Sequence, residues 1–226
     1  MTGARGRILE SIRSGLVRAA LPSAEHAGVP DAKAGRGGSI EAMVERFGAV
    51  LTALSGRVHR AASPEVPALV ADIAAAHGVR SFLAWDETEL GCPGLLEGLA
   101  ARGLARVDYR MPTDPDARIR LAQALEPIGL GVTGGHAAIA ENGAVVLVSG
   151  PGRGRLVSLL PAVHVAIVSE RRLRPTLADL VREEPRLLDA GSNVVLVAGP
   201  SRTADIEMAL SHGVHGPKHV HVVLTA

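Results

Sequence analysis

Aromatic side chains are scarce, with one Trp, one Tyr and two Phe among 226 residues. Single-stranded bases would find no platform on which to stack. The formal net charge is only +1, so no broad basic surface takes the place of that platform, and nucleic acid is not an expected partner. Cysteine is scarcer still. With Cys92 alone, no internal disulfide forms, and the chain cannot supply the four thiolates of an iron–sulfur cluster or zinc knuckle. No apolar run reaches the ~20 residues that span a bilayer, and no membrane span is expected. The N-terminal "MTGARGRILESIRSGLVRAAL" lacks the apolar stretch of a signal peptide. Its Ile8, Ile12 and Leu16 recur at helical spacing, which predicts a surface helix over 1–21. With neither export signals nor disulfides, the expected location is the cytoplasm.

Small apolar residues are abundant. Hydrophobic types make up 47% of the chain, enough for a large core without covalent staples. Residues 22–38 collect Gly, Pro and small polar residues without periodicity and read as a linker. Residues 39–226 read as a single domain. A helix is expected around Met43, Phe47, Leu51 and Leu54, then a strand at "GRVHRA". A second helix begins with Ser63 as N-cap and Pro64 at its first position, and stops near Gly78. "RSFLAW" and "ARVDYR" read as strands on either side of a helix at about 93–102. "ENG" between two apolar runs predicts a hairpin. "VHVAIVS", "NVVLVAG" and "HVHVVL" are further strands, with helices at about 175–188 and 202–212. Their apolar residues do not alternate with polar ones, so both sheet faces should be covered. The expected fold is α/β: a Rossmann-like, mostly parallel sheet with helices on both faces and an added antiparallel hairpin.

Four stretches are candidates for chemistry. In "VAGPSRTADIE", a strand hands over to an expected helix between Gly199 and Asp205. Ser201 or Thr203 serves as an ordinary cap, but Arg202 is a cation at the positive end of a helix, which a bound anion would explain. "GPGRGR" places Gly152 and Gly154 beside Arg153 and Arg155. It matches neither phosphate-binding fingerprint, and reads either as a solvated loop or as a cradle for a carboxylate or phosphate. Glu141 ends a strand before the tight turn, as an exposed hairpin residue or as a nucleophile. His212, His215, His219 and His221 crowd together without a cysteine, and no metal site is expected from them. His215 and Lys218 instead offer positive charge to an anion site.

Taken together, "GVTGGHAAIAENGAVVLVSGPGRGRL", "LLPAVHVAIVSERRLRPTLADL", "GPSRTADIE" and "GVHGPK" resemble the lactate utilisation protein C family, the family of the LUD domain. The resemblance is dense over the C-terminal half and follows only the layout elsewhere. It implies a fold like that of the sugar isomerases and coenzyme A transferases. It also implies an accessory, small-anion-binding role in L-lactate oxidation, beside partner subunits that hold the iron–sulfur clusters; this chain itself binds no cofactor. The motif positions carried over include Glu141, Gly152, Gly154, Arg155, Gly199, Ser201, Arg202, Thr203, His215 and Lys218. Two other readings stay open: an acyl-transfer enzyme like the coenzyme A transferases with Glu141 as nucleophile, and a non-catalytic scaffold for the cluster-bearing subunits. Ala140 stands where those transferases have a serine, which weakens the first.

Overall fold

Valine-rich strands without polar alternation are stable only where both faces are covered, and in this chain they form the centre of a parallel sheet. The computed structural model describes residues 38–108, 112–125, 127–203, 211–212 and 216–226, together with Gly6, Leu9 and Glu10. The chain divides into two units, Met1–Lys33 and Ala34–Ala226. In the first, Gly6, Leu9 and Glu10 are helical; the rest of the expected 1–21 helix, and the linker as far as residue 37, lie outside the described residues.

The second unit opens with helix α1 (Ile40–Ala53), where the Ser39 hydroxyl accepts the Ala42 amide at 3.3 Å and Phe47 and Leu51 are fully buried. β1 (Arg57–Ala61) follows, then a 3-10 turn at Ser63–Glu65 that leads into α2 (Val66–Ala76). Ser63 is not the cap that was expected: Glu65 accepts the Ala62 amide at 2.9 Å instead. β2 (Ser81–Ala84), α3 (Leu95–Ala100) and β3 (Ala105–Arg106) lie where the sequence placed them. Helix α4 (Pro115–Leu125) was not anticipated. Its signal was present, since Asp114 accepts the Ala117 amide at 2.6 Å and Pro115 takes the first position.

β4 (Leu130–Gly134), β5 (Ala137–Ile139) and β6 (Ala144–Ser149) come next. β5 and β6 are the predicted hairpin, with Ile139 opposite Ala144 and Gly143 at φ 62° in the turn. The chain continues through α5 (Leu156–Leu159), β7 (Val163–Ser169), β8 (Leu173–Arg174), α6 (Leu177–Glu183) and β9 (Asn193–Val197). β10 (Arg202–Thr203), β11 (Ser211–His212) and β12 (His219–Thr225) complete it.

The main sheet has six strands in the order β1-β12-β7-β4-β2-β3, and every neighbouring pair is parallel. Helices cover both of its faces. Gly131 lets α5 approach so closely that a Cβ would lie 1.9 Å from the Val157 carbonyl oxygen. On the opposite face His221 meets His77, at the end of α2, edge to face with ring centres 5.7 Å apart. A second sheet runs β8-β5-β6-β9 and is antiparallel except for the β5–β8 pair. β9 therefore joins the hairpin rather than the parallel sheet. The helix expected over 202–212 is corrected at both ends, because Arg202–Thr203 and Ser211–His212 are extended and pair antiparallel. The residues between them lie outside the described residues.

Candidate functional site

In a parallel sheet, side chains gather for ligands beyond the carboxyl ends of the strands, at the point where strand order reverses. Here the chain builds outward from β2 to β3, then returns to place β4 on the other side of β2. Just beyond that reversal lies a cleft of about 250 Å³ lined by Trp85, Glu89, Gly134, His136, Arg153 and Arg172, among others. Both sheets contribute to it. The chain leaves the main sheet at Gly134 and enters the second at Ala137, so Gly135 and His136 form the crossing. No larger residue fits at Gly134, where a Cβ would lie 2.0 Å from the Glu89 carbonyl oxygen.

The glycine-rich loop reaches the cleft because it is pinned to the end of β2. The Asp86 amide donates to the Gly152 carbonyl at 2.8 Å, and the Trp85 indole donates to the Gly154 carbonyl at 3.0 Å. Gly152 itself turns with φ 70°. The loop thereby presents Arg153, whose Nη1 donates to Glu89 at 3.3 Å and whose Nη2 donates to the Ala190 carbonyl at 3.4 Å. Its Nε is buried without a partner among the described residues. Arg155, two residues on, is exposed at the start of α5 and lines neither this cleft nor the cavity below.

Across the cleft, Arg172 donates through Nε to the His136 carbonyl at 2.7 Å, and its Nη2 lies 2.9 Å from His136 Nε2 and pairs with Glu184 at 3.0 Å. His136 Nε2 lies 2.6 Å from the other Glu184 oxygen. Burial alone would raise the Glu184 pKa, but His136 and Arg172 outweigh it and hold the carboxyl below its ordinary value. Glu184 is thus an ionised acceptor at neutral pH. Arg172 Nη1 and His136 Nδ1 have no partner among the described residues.

A second cavity of about 180 Å³ takes in Gly199 and Ser201 with Gly216 and Pro217, and is walled by Leu159, Val195 and Val197. The structure thus brings Gly199 and Ser201 together with Gly216 and Pro217, and the Ser201 amide donates to the Pro217 carbonyl at 2.9 Å. The place differs from the expected one. Pro217 lies two residues before the start of β12, and the Lys218 amide donates to the Ala162 carbonyl just before β7 at 2.8 Å. This cavity therefore sits at the amino edge of the parallel sheet, a strand length from the cleft. Lys218 is exposed. Arg202 and Thr203 form β10, with their side chains outside the described residues, as is His215.

Glu141 is exposed, and its Oε1 accepts the Leu177 amide at 2.9 Å, capping the start of α6. It lines neither cavity. Among the described residues, no three His, Cys, Asp or Glu side chains are arranged to hold a metal ion, and no helix is long and apolar enough to cross a membrane. Sequence reading missed His136, Arg172, Glu89 and Glu184. Their only signal was a glycine pair followed by histidine after a buried strand, since the carboxylates are remote in sequence.

Comparison with known proteins agrees with this layout. A structure of a DUF162 family protein from Deinococcus radiodurans superimposes with a TM-score of 0.61, covering 84% of this chain and all of that one at 19% identity. A Halalkalibacterium halodurans protein named lactate utilization protein C is 34% identical over 145 residues, 62% of this chain and 60% of its own length. An Exiguobacterium protein of the same name is 30% identical over 213 residues, covering 92% of this chain and 88% of its own. The first of these two shares only three-fifths of its length with this chain, the second nearly all. The LUD domain model matches residues 44–225. With that match running from α1 to the last strand, the chain belongs to the LUD domain family.

Proposed function

We propose that this chain binds a short-chain carboxylate as an accessory component of a lactate utilization system, and that the iron–sulfur clusters of that system reside in partner chains. The observation that carries the reading is the convergence of Arg153 and Arg172 on one cleft at the strand-order reversal. Each guanidinium is steadied by a carboxylate, Arg153 by Glu89 and Arg172 by Glu184. Arg172 also keeps an N–H for a ligand at Nη1, while the unpartnered Nε of Arg153 is buried. A carboxylate is the natural acceptor for such donors. The cleft's volume suits an acid of a few carbons, and the relatives' name supports lactate as its source. A cluster does not fit this chain, whose one thiol, Cys92, is buried with its pKa raised by burial and by Glu87.

Titration calorimetry of the full chain with lactate, pyruvate, phosphate and coenzyme A tests the proposal. A short-chain carboxylate should bind, and Arg153→Gln and Arg172→Gln should each weaken it by about 10- to 100-fold, the loss of a charge-assisted hydrogen bond. If no acid binds, or if both variants bind as the parent does, the reading is wrong.

A further inference from the structure

A strand at the edge of a sheet carries unpaired amides and carbonyls, and proteins keep such edges short or charged. Three of the four edges of the two larger sheets follow that rule. β3 and β8 are two residues long, and β1 carries Arg57 and Arg60. β9 departs from it. Its five residues, Asn193–Val197, are uncharged, and among the described residues only β6 pairs with it. The Gly199–Ser201 cavity runs along the edge that β6 leaves open. Consecutive strand residues point to opposite faces, so a cavity lined by Val195, Leu196 and Val197 in turn lies beside the strand rather than over it. Leu159 and Pro217 belong to its other wall, and none of its described lining residues is charged.

We propose that a second copy of this chain fills this groove, the two β9 strands pairing antiparallel about a two-fold axis into one eight-stranded sheet. Two-fold symmetry sets the strand against itself, so any charge on it would face its like. β9 has none. With the axis through Val195, each Val194 lies opposite the other copy's Leu196 and helps to cover a side chain that is otherwise 41% exposed. Antiparallel pairing also brings the amino end of each β9 to the carboxyl end of the other, and those ends are complementary. The carboxyl end holds the groove, about 180 Å³ in volume. Just before the amino end, the turn Leu187–Asp189 carries Leu188, at 77% the most exposed large apolar side chain among the described residues. Leu188 of each copy thus meets the groove of the other. Asp189, steadied by Arg186 at 3.5 Å, stands beside this leucine. Lys218 stands beside Pro217, and both Asp189 and Lys218 are exposed, so the rim of each contact joins opposite charges. An unrelated extended segment would use the edge but leave Leu188 uncovered.

Sedimentation equilibrium and hydrogen exchange of the full chain, followed together as concentration rises, test this. Monomer should give way to dimer, and the β9 amides should gain protection in step. Leu188→Glu and Leu196→Lys alter exposed side chains. Each should weaken dimerisation at least about tenfold, the scale of an interface anchor, and leave the urea midpoint of the dilute chain as in the parent. A chain that stays monomeric at its highest soluble concentration would overturn the proposal. So would a dimer that both variants leave intact. Protection of the β9 edge in the dilute monomer would show that the chain covers this edge itself, and would equally refute a second copy.

Discussion

His164 and His221 are buried imidazoles with incomplete hydrogen bonding. His164 Nε2 meets the Thr133 hydroxyl at 2.9 Å, and His221 Nδ1 meets His59 Nε2 at 3.0 Å. The second nitrogen of each is buried without a partner among the described residues. Burial pushes the His164 pKa down to about 4. Burial, reinforced by His59, Arg57, His77 and His219, pushes His221 down to about 3. A depressed histidine takes its proton first in the unfolded chain. The stability it contributes is therefore complete above its ordinary value of 6.5 and is lost as pH falls toward the folded values. Each withheld proton costs up to about 1.4 kcal/mol per pH unit. Glu184 and Asp179 have depressed values as well, but their contribution is lost only below their ordinary 4.5 and 3.8. The urea midpoint should thus fall between pH 7 and pH 5, and fall less in His221→Leu. An unchanged midpoint over that interval would contradict the assignment.

Among the elements, α6 depends on a distant strand for its start. The Thr176 hydroxyl accepts the Asp179 amide at 3.1 Å, and Glu141 accepts the Leu177 amide from across the second sheet. Glu141→Ala should cost about 1 kcal/mol in urea unfolding, the usual loss of a cap, and leave carboxylate affinity as it was. A large loss of binding would instead return Glu141 to the chemistry. Gly134→Ala should do the reverse damage, forcing β4 and the Glu89 turn apart, with a cost of about 1–3 kcal/mol or more and a disrupted cleft. Local elements were largely legible. The Asn142–Gly143 turn marked its hairpin because that conformation depends on two residues. α4 carried a legible cap and proline, but its surface is polar and its apolar periodicity weak. β9 was read as a buried parallel strand, yet among the described residues it pairs only with β6 and leaves Leu196 41% exposed. A five-residue apolar run specifies extended backbone and does not specify which sheet it joins.

At the level of the whole molecule, the two sheets should differ in how readily they open. β7 lies between β4 and β12 and is buried along nearly its whole length. Its amides, with those of β12, should exchange with solvent most slowly, and those on the outer edge of β9 much faster in the dilute chain. Equal protection of β7 and β9 in a hydrogen-exchange experiment would mean that β9 is covered by something else, a partner chain included. The partner reading belongs to this scale too: co-purification from lactate-grown cells should recover chains that carry iron–sulfur clusters.

What the residues determined without coordinates was the α/β class, the hairpin, the single thiol and the resemblance to the LUD family. Those properties depend on composition, on hydrophobic period and on motifs whose members lie close along the chain. The tertiary structure decided where a ligand has room. Of the loop's two arginines it turned Arg153 into the cleft and left Arg155 in solvent. It put the Gly199–Ser201 cavity at the amino edge of the sheet, and it joined His136 to Glu184, 48 residues apart. Contacts of that length arise only when strand order brings remote segments to one edge, and no local pattern records that order.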